Sequence, residues 1–214
     1  MTSFCKKVTG YLLIGLSLLL FNLTAANAQT NNDASQQLVQ VLQSIHSIQG
    51  TFRQTITTSK GKVLQSSVGT MAIQKPNKFV WNIQSPTQQV IVSDGRNLWV
   101  YNKNLKQVSV QSLKRNLSST PALLLSASPQ TITHYFNVVY HNGWYYLTAK
   151  SSSSIFQQVR IQFNGNRLKQ MSLVDNLGHV STLQFGELRV NPPLNAGLFR
   201  FAPPSGVDVV GKPQ

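Results

Sequence analysis

Cysteine is all but missing from this 214-residue sequence. The single one, Cys5, falls in an N-terminal segment with the marks of a leader. The mature chain therefore has no thiol for a disulfide, a thiolate metal site or a cysteine nucleophile. Acidic residues are nearly as scarce: Asp33, Asp94, Asp175, Glu187 and Asp208 are the whole set. Acid–base and glycosidic chemistry call for paired carboxylates. Three of these five sit in turns or near a chain end, where turn-forming and solvating roles prevail. His46, His134, His141 and His179 show no metal-ligand spacing with them. No Gly-x-Ser-x-Gly elbow, Ser-x-x-Lys pair or glycine-rich phosphate loop occurs. No catalytic residue, metal or cofactor is expected, and the sequence reads as a binding protein rather than an enzyme. Long apolar runs are missing too: the longest, Tyr11–Leu23, falls short of the roughly 20 residues that span a bilayer.

That run belongs to a three-part leader. Lys6 and Lys7 precede it, and the small-x-small exit Ala26-Asn27-Ala28 follows. A cleaved secretory signal peptide is expected over residues 1–28, leaving one domain over 29–214. No cysteine stands at the cleavage point, so the product should diffuse freely instead of becoming lipid-anchored. Lys and Arg total 19 against 5 Asp and Glu, a formal charge of +14. Without Lys6 and Lys7 the balance is 17 against 5, or +12. The basic residues are scattered singly, with Lys114-Arg115 the only adjacent pair after the leader. Such scatter suits a solubilising surface with general attraction to anions better than a nucleic-acid site.

What the chain does contain is patterned for strands. From Ala34 to Ile48, Leu38, Val41, Leu42, Ile45 and Ile48 recur at helical spacing, and Gly50 is expected to stop the helix. Beyond it the period changes to two. Phe52, Gln54 and Ile56 open a strand ahead of a Lys60-Gly61-Lys62 turn, and Phe79, Trp81 and Ile83 share one face of another. Val90–Val92 and Leu98–Tyr101 flank Ser93-Asp94-Gly95-Arg96, a strong hairpin signal, and Val108 and Val110 continue the series. Thr120-Pro121 ahead of Leu123, Leu124 and Leu125 reads as a capped short helix. Strands resume at Phe136–Val139, Trp144–Thr148, Ile155–Phe163, Leu168–Val174 and Val180–Leu188. A last one is expected at Phe199-Arg200-Phe201, before Pro203 and Pro204.

Several of these strands are apolar on both faces, a surplus that a one-sided antiparallel sheet does not need. Two short helices are too few to cover both faces. The pattern predicts a mainly β, single-domain fold. Its antiparallel sheet is expected to be strongly curved or an open barrel enclosing an apolar cavity, with helices against one face and the leucine-rich helix as a candidate lid.

Four blocks then carry a family resemblance. Gln74-Lys75-Pro76-Asn77-Lys78-Phe79-Val80-Trp81 resembles the Arg-Pro-Asn-x-Phe-x-Trp stretch of the outer-membrane lipoprotein carriers, the LolA family. Val92–Asn102 is similar to that family's hairpin, Thr120-Pro121 with its leucines to its lid helix, and Phe199–Val207 to its terminal strand. The resemblance implies an incomplete, half-open β-barrel with short α-helices as a lid over the apolar cavity, and a monomeric periplasmic chaperone whose cargo is triacylated lipoproteins. It would accept them from an inner-membrane ATP-binding-cassette exporter and deliver them to an outer-membrane receptor of similar fold. It also implies an acyl-chain cavity lined by Leu38, Leu42, Met71, Ile73, Phe79, Trp81, Trp99, Leu123, Leu124 and Leu125. Lys75 stands where the family has an arginine that latches the lid, so it is expected to reach carbonyls near Leu42, Leu125 and Ser126. An ammonium is a point charge rather than a planar fork, so the latch should be shaped differently. A lipid- or stress-sensing regulator on the same fold, and a binder of anionic polymers, are the alternative readings.

Overall fold

The computed structural model describes residues 25–113, 120–152 and 154–214. Residues 1–24 of the expected leader, and Lys114-Arg115, lie outside them. Helix α1 runs Ala25–Gln43, so Ala25–Ala28 are its first turn. Twelve strands follow: β1 Ser47–Thr57, β2 Val63–Gln74, β3 Lys78–Ser85, β4 Gln89–Asp94, β5 Asn97–Asn102, β6 Gln107–Ser112, then β7 Phe136–His141, β8 Trp144–Ala149, β9 Phe156–Asn164, β10 Arg167–Asp175, β11 Val180–Val190 and β12 Asp208–Val210. Two short helices, α2 Pro121–Ser126 and α3 Pro129–Tyr135, sit between β6 and β7. All strands join one sheet in the order β12-β6-β5-β4-β3-β2-β1-β11-β10-β9-β8-β7. Because β12 and β7 remain edges, the barrel is not closed. The expected mainly β, half-open architecture is the one observed.

Two elements differ from the sequence reading and two are additional to it. The first helix ends at Gln43, not Ile48, and Ile48 opens β1. Its terminus is fixed from far along the chain: the Asn191 amide donates to Ser44 O, and its Oδ1 accepts from His46 N–H. Gly50 is accordingly no helix stop. It sits opposite a bulge in β11, where a Cβ would come within 2.6 Å of Leu188 Cδ2 and 2.8 Å of Gly186 O. The final strand is also displaced. Ala196–Phe199 is a 3₁₀ turn, residues 201–207 form no strand, and pairing comes only at β12, parallel to β6. Helix α3 and strand β2 carry no expectation from the sequence. The former repeats the hydroxyl–proline start of α2, with Ser128 Oγ accepting from Thr131 N–H.

Alternation along the strands creates two apolar layers. On the inner, concave side Phe52, Ile73, Phe79, Trp81 and Leu98 join Leu147, Val159, Met171, Leu173 and Leu183 in one buried cluster. Helices α1, α2 and α3 pack into that concavity, α1 against β7 and α3, and α2 against β2 and β3. On the outer side a smaller cluster of Val92, Trp99, Val108 and Val110 is covered by Phe201 and Val207 of the C-terminal segment.

Candidate functional site: an apolar wall under a leucine lid

The site is built on β2 and β3. Period-two geometry turns Met71 and Ile73 of β2, and Phe79 and Trp81 of β3, to the concave face. Register pairs Met71 with Trp81 and Ile73 with Phe79, so the four form a continuous patch. Phe52 on β1 extends it, stacked on Trp81 with ring centroids 4.1 Å apart and planes at 24°. The lid leucines complete the enclosure: Leu38, Ile73, Phe79 and Leu123 have no solvent exposure at all. Leu42, Leu124 and Leu125 belong to the same cluster.

Trp99 does not join them, contrary to the expectation that it lines the same wall. It pairs with Val92, which pairs with Val80, and so lies on the outer face, its ring 5.5 Å from that of Phe201. Sequence reasoning missed Phe52 as part of the wall, and the whole contribution of β9–β11. The alternation of Met171 and Leu173, and of Val159 and Ile161, was the available signal.

Polar contacts tie the lid to the wall through its backbone. Lys75 Nζ donates to Leu42 O at 2.7 Å, at the last turn of α1. Its main-chain N–H donates to His46 O at 2.9 Å. The Ser126 carbonyl of α2 accepts not from Lys75 but from the Asn77 N–H, at 2.8 Å. Asn77 is itself held by Ser93 Oγ, which donates to its carbonyl at 2.6 Å. One turn, 75–77, therefore grips both lid helices at carbonyls that helix ends leave open.

Burial lowers the Lys75 ammonium to about 8 from its ordinary 10.5. The direction of the consequence is fixed. The unfolded chain holds that proton up to about 10.5, so unfolding takes up a proton between pH 8 and 10.5, and stability rises with pH across that window. Below pH 8 the cost of the buried charge is fully present; above 10.5 it is gone. At ~1.4 kcal/mol per unit, the gain approaches ~3 kcal/mol. Urea titrations of the native chain and of Lys75→Met, at pH 7.5 and 10, should show a rise in the former that the latter lacks. Equal rises would assign the effect to other groups.

A cleft of about 650 Å³ opens elsewhere, lined by Thr51, Thr70, Val80, Asn82, Val90 and Leu198 among others. It shares only Met71 with the residues expected around the acyl chains. Among the described residues no group of three or more His, Cys, Asp or Glu could hold a metal, and no helix is long and apolar enough to cross a membrane.

Residues 43–202 match the family model described as outer membrane lipoprotein carrier protein LolA. The chain belongs to the LolA family. An outer-membrane lipoprotein carrier protein of Coxiella burnetii is 34% identical over 205 residues, covering 93% of this chain and 97% of the relative. One from Legionella pneumophila is 36% identical over 184 residues, covering 82% and 91%. One from Alcanivorax borkumensis is 33% identical over 187 residues, covering 85% and 90%. Among solved structures, a LolA superfamily protein from Nitrosomonas europaea aligns with a TM-score of 0.47 at 16% identity, over 78% of this chain and 98% of that one.

Proposed function

We propose that this LolA-type lipoprotein carrier binds the acyl chains of triacylated lipoproteins against the Phe52–Phe79–Trp81 wall. The observation that supports this most is the lid itself. Leucines of α1 and α2 bury the aromatic side chains, yet the hydrogen bonds from wall to lid described above run through one short turn. Each buried methylene contributes about 0.8 kcal/mol, so three acyl chains in water would cost on the order of 30 kcal/mol gross. A carrier must remove that cost without binding irreversibly. Exchanging leucine–aromatic contacts for acyl–aromatic contacts is near-balanced and leaves the cargo free to move on.

In this reading residues 1–28 are a cleaved signal peptide and the chain works as a periplasmic monomer. It takes cargo from an inner-membrane ATP-binding-cassette exporter and gives it to an outer-membrane receptor. Lys75 and Asn77 act as the latch, released when acyl chains enter.

The direct test is mass spectrometry of the protein recovered from periplasm without detergent, after co-expression with a tagged triacylated lipoprotein. A one-to-one soluble complex that survives high salt is expected, because apolar burial is not screened by salt whereas ionic attraction is. Co-purification of an anionic polymer alone, lost in salt, would replace the carrier reading with polymer binding.

A further inference from the structure

We propose that one end of the sheet is a docking patch for an anionic lipid bilayer surface. Three connections meet there: the β1–β2 hairpin tip, the β10–β11 turn and the start of β9. They touch one another. A Cβ on Gly178 would lie 3.4 Å from Ser59 Cβ, and the Asn176 amide donates to Ser154 O at 2.8 Å.

Each connection presents a large apolar side chain to solvent. Leu177 is 79% exposed, Val63 57%, Leu64 51% and Ile155 46%. An exposed leucine by itself is ordinary; four branched apolar side chains on adjoining connections at one sheet end are not. Nothing local requires them: Leu177 is the third residue of a turn closed by Asp175, whose Oδ1 accepts from the N–H groups of Leu177 and His179. A polar residue would serve that turn equally well.

The charges around these residues select the partner. Lys60 and Lys62 stand in the hairpin tip itself, and Lys150 follows β8, its Nζ donating to Thr133 O of α3 at 2.8 Å. The acidic group beside them, Asp175, is engaged by His179 Nδ1 at 2.9 Å. Beyond the β3–β4 connection, the β5–β6 loop at the same sheet end repeats the chemistry, with Leu105, 67% exposed, between Lys103 and Lys106. Apolar tips ringed by lysines match a surface with anionic headgroups above an acyl interior, the pairing that holds peripheral proteins at a bilayer. An acidic soluble protein would be served by the lysines alone and would leave the four apolar tips unused.

The inference stands apart from the acyl-carrier reading, since the patch is read with protein-free vesicles and the wall with lipoprotein. The experiment is flotation of the mature protein, its N-terminus verified by mass spectrometry, with vesicles of phosphatidylethanolamine and phosphatidylglycerol at three to one. Native protein should float with these and, at least ~10-fold less, with all-phosphatidylcholine vesicles. Leu177→Asp/Ile155→Asp and Lys60→Glu/Lys62→Glu should each lose ~10-fold, with unchanged melting temperatures. The substituted positions are exposed, and if one double variant fails to fold the other decides. Equal flotation of native protein on both vesicle types, native-like binding by a folded variant, or retention only by an acidic soluble protein would overturn the patch.

Discussion

Phe79→Glu is expected to abolish recovery of the soluble lipoprotein complex and to lower stability by ~5 kcal/mol or more at neutral pH. Removing the ring costs about 3–5 kcal/mol in lost burial and residual cavity. A carboxylate in its place adds the penalty of an unpaired charge, or of the protonation that avoids it. Phe79 has no exposure, pairs with Ile73 across the strands and lies beneath the lid leucines, so water cannot reach a new carboxylate while the lid is shut. Such a loss is a large part of the 5–15 kcal/mol that holds a typical domain together. Phe79→Leu is therefore the necessary companion. It keeps an apolar wall, should cost about 1 kcal/mol, and should still capture acyl chains. Urea melts with co-purification of both variants separate the two roles. If folded Phe79→Glu loads normally, the wall assignment is wrong; if Phe79→Leu also fails to load, the site depends on the shape of the Phe79 ring rather than on apolarity alone.

Gly69→Ala should be the most damaging single-methyl change in the sheet. Gly69 faces Phe52 across β1 and β2, and a Cβ there would stand 2.0 Å from Asn82 O and 2.8 Å from Phe52 Cζ. The first contact is to backbone, so no rotamer relieves it; the second would push Phe52 off Trp81. Overpacking of this kind costs about 3 kcal/mol, a fall in melting temperature of roughly 6–12 °C for a domain of this size. Near-ultraviolet circular dichroism should also lose the signal of the stacked pair. A shift under ~1 kcal/mol would mean that β3 moves away easily, and that the wall is softer than its packing suggests.

Gly69 also marks where sequence reading runs out. In sequence it is one glycine ahead of Met71, and only the register of β1 against β2 shows that its missing side chain makes room for an aromatic. Elements with local signals were legible: Asp94-Gly95 set the β4–β5 hairpin, and Thr120-Pro121 capped α2, whose Leu123 N–H does donate to Thr120 Oγ1. Strand β2 was not, because Val63–Ser66 extend beyond β3 and are exposed, and apolar alternation begins only near Met71. Trp99 was misplaced for a related reason. Alternation assigns a residue to one of two faces within its own strand, but which face is concave depends on the register through Val80 and Val92. The end of α1 was set by Asn191, a contact 147 residues away that no local pattern encodes. The leucines, the β3 aromatics and Lys75 were readable as a set; the grip of Asn77 on Ser126, a main-chain contact, was not.

The strand order has a consequence for how the molecule is made. Strand β1 lies between β2 and β11, so the two halves of the sheet meet along the β1–β11 pairing, from Ile48 opposite Val190 to Thr57 opposite Val180. Everything from β2 to β10 must emerge before that seam can close, and Asn191, which anchors α1, comes later still. Contacts this remote in sequence form slowly. Until they form, the Phe79–Trp81 wall faces solvent with its leucine cover unfixed, and a half-folded chain offers the same greasy surface that the finished one keeps shut. Newly made chains are thus most prone to aggregate just before completion, and truncation after β10 should leave a sticky fragment rather than a smaller carrier.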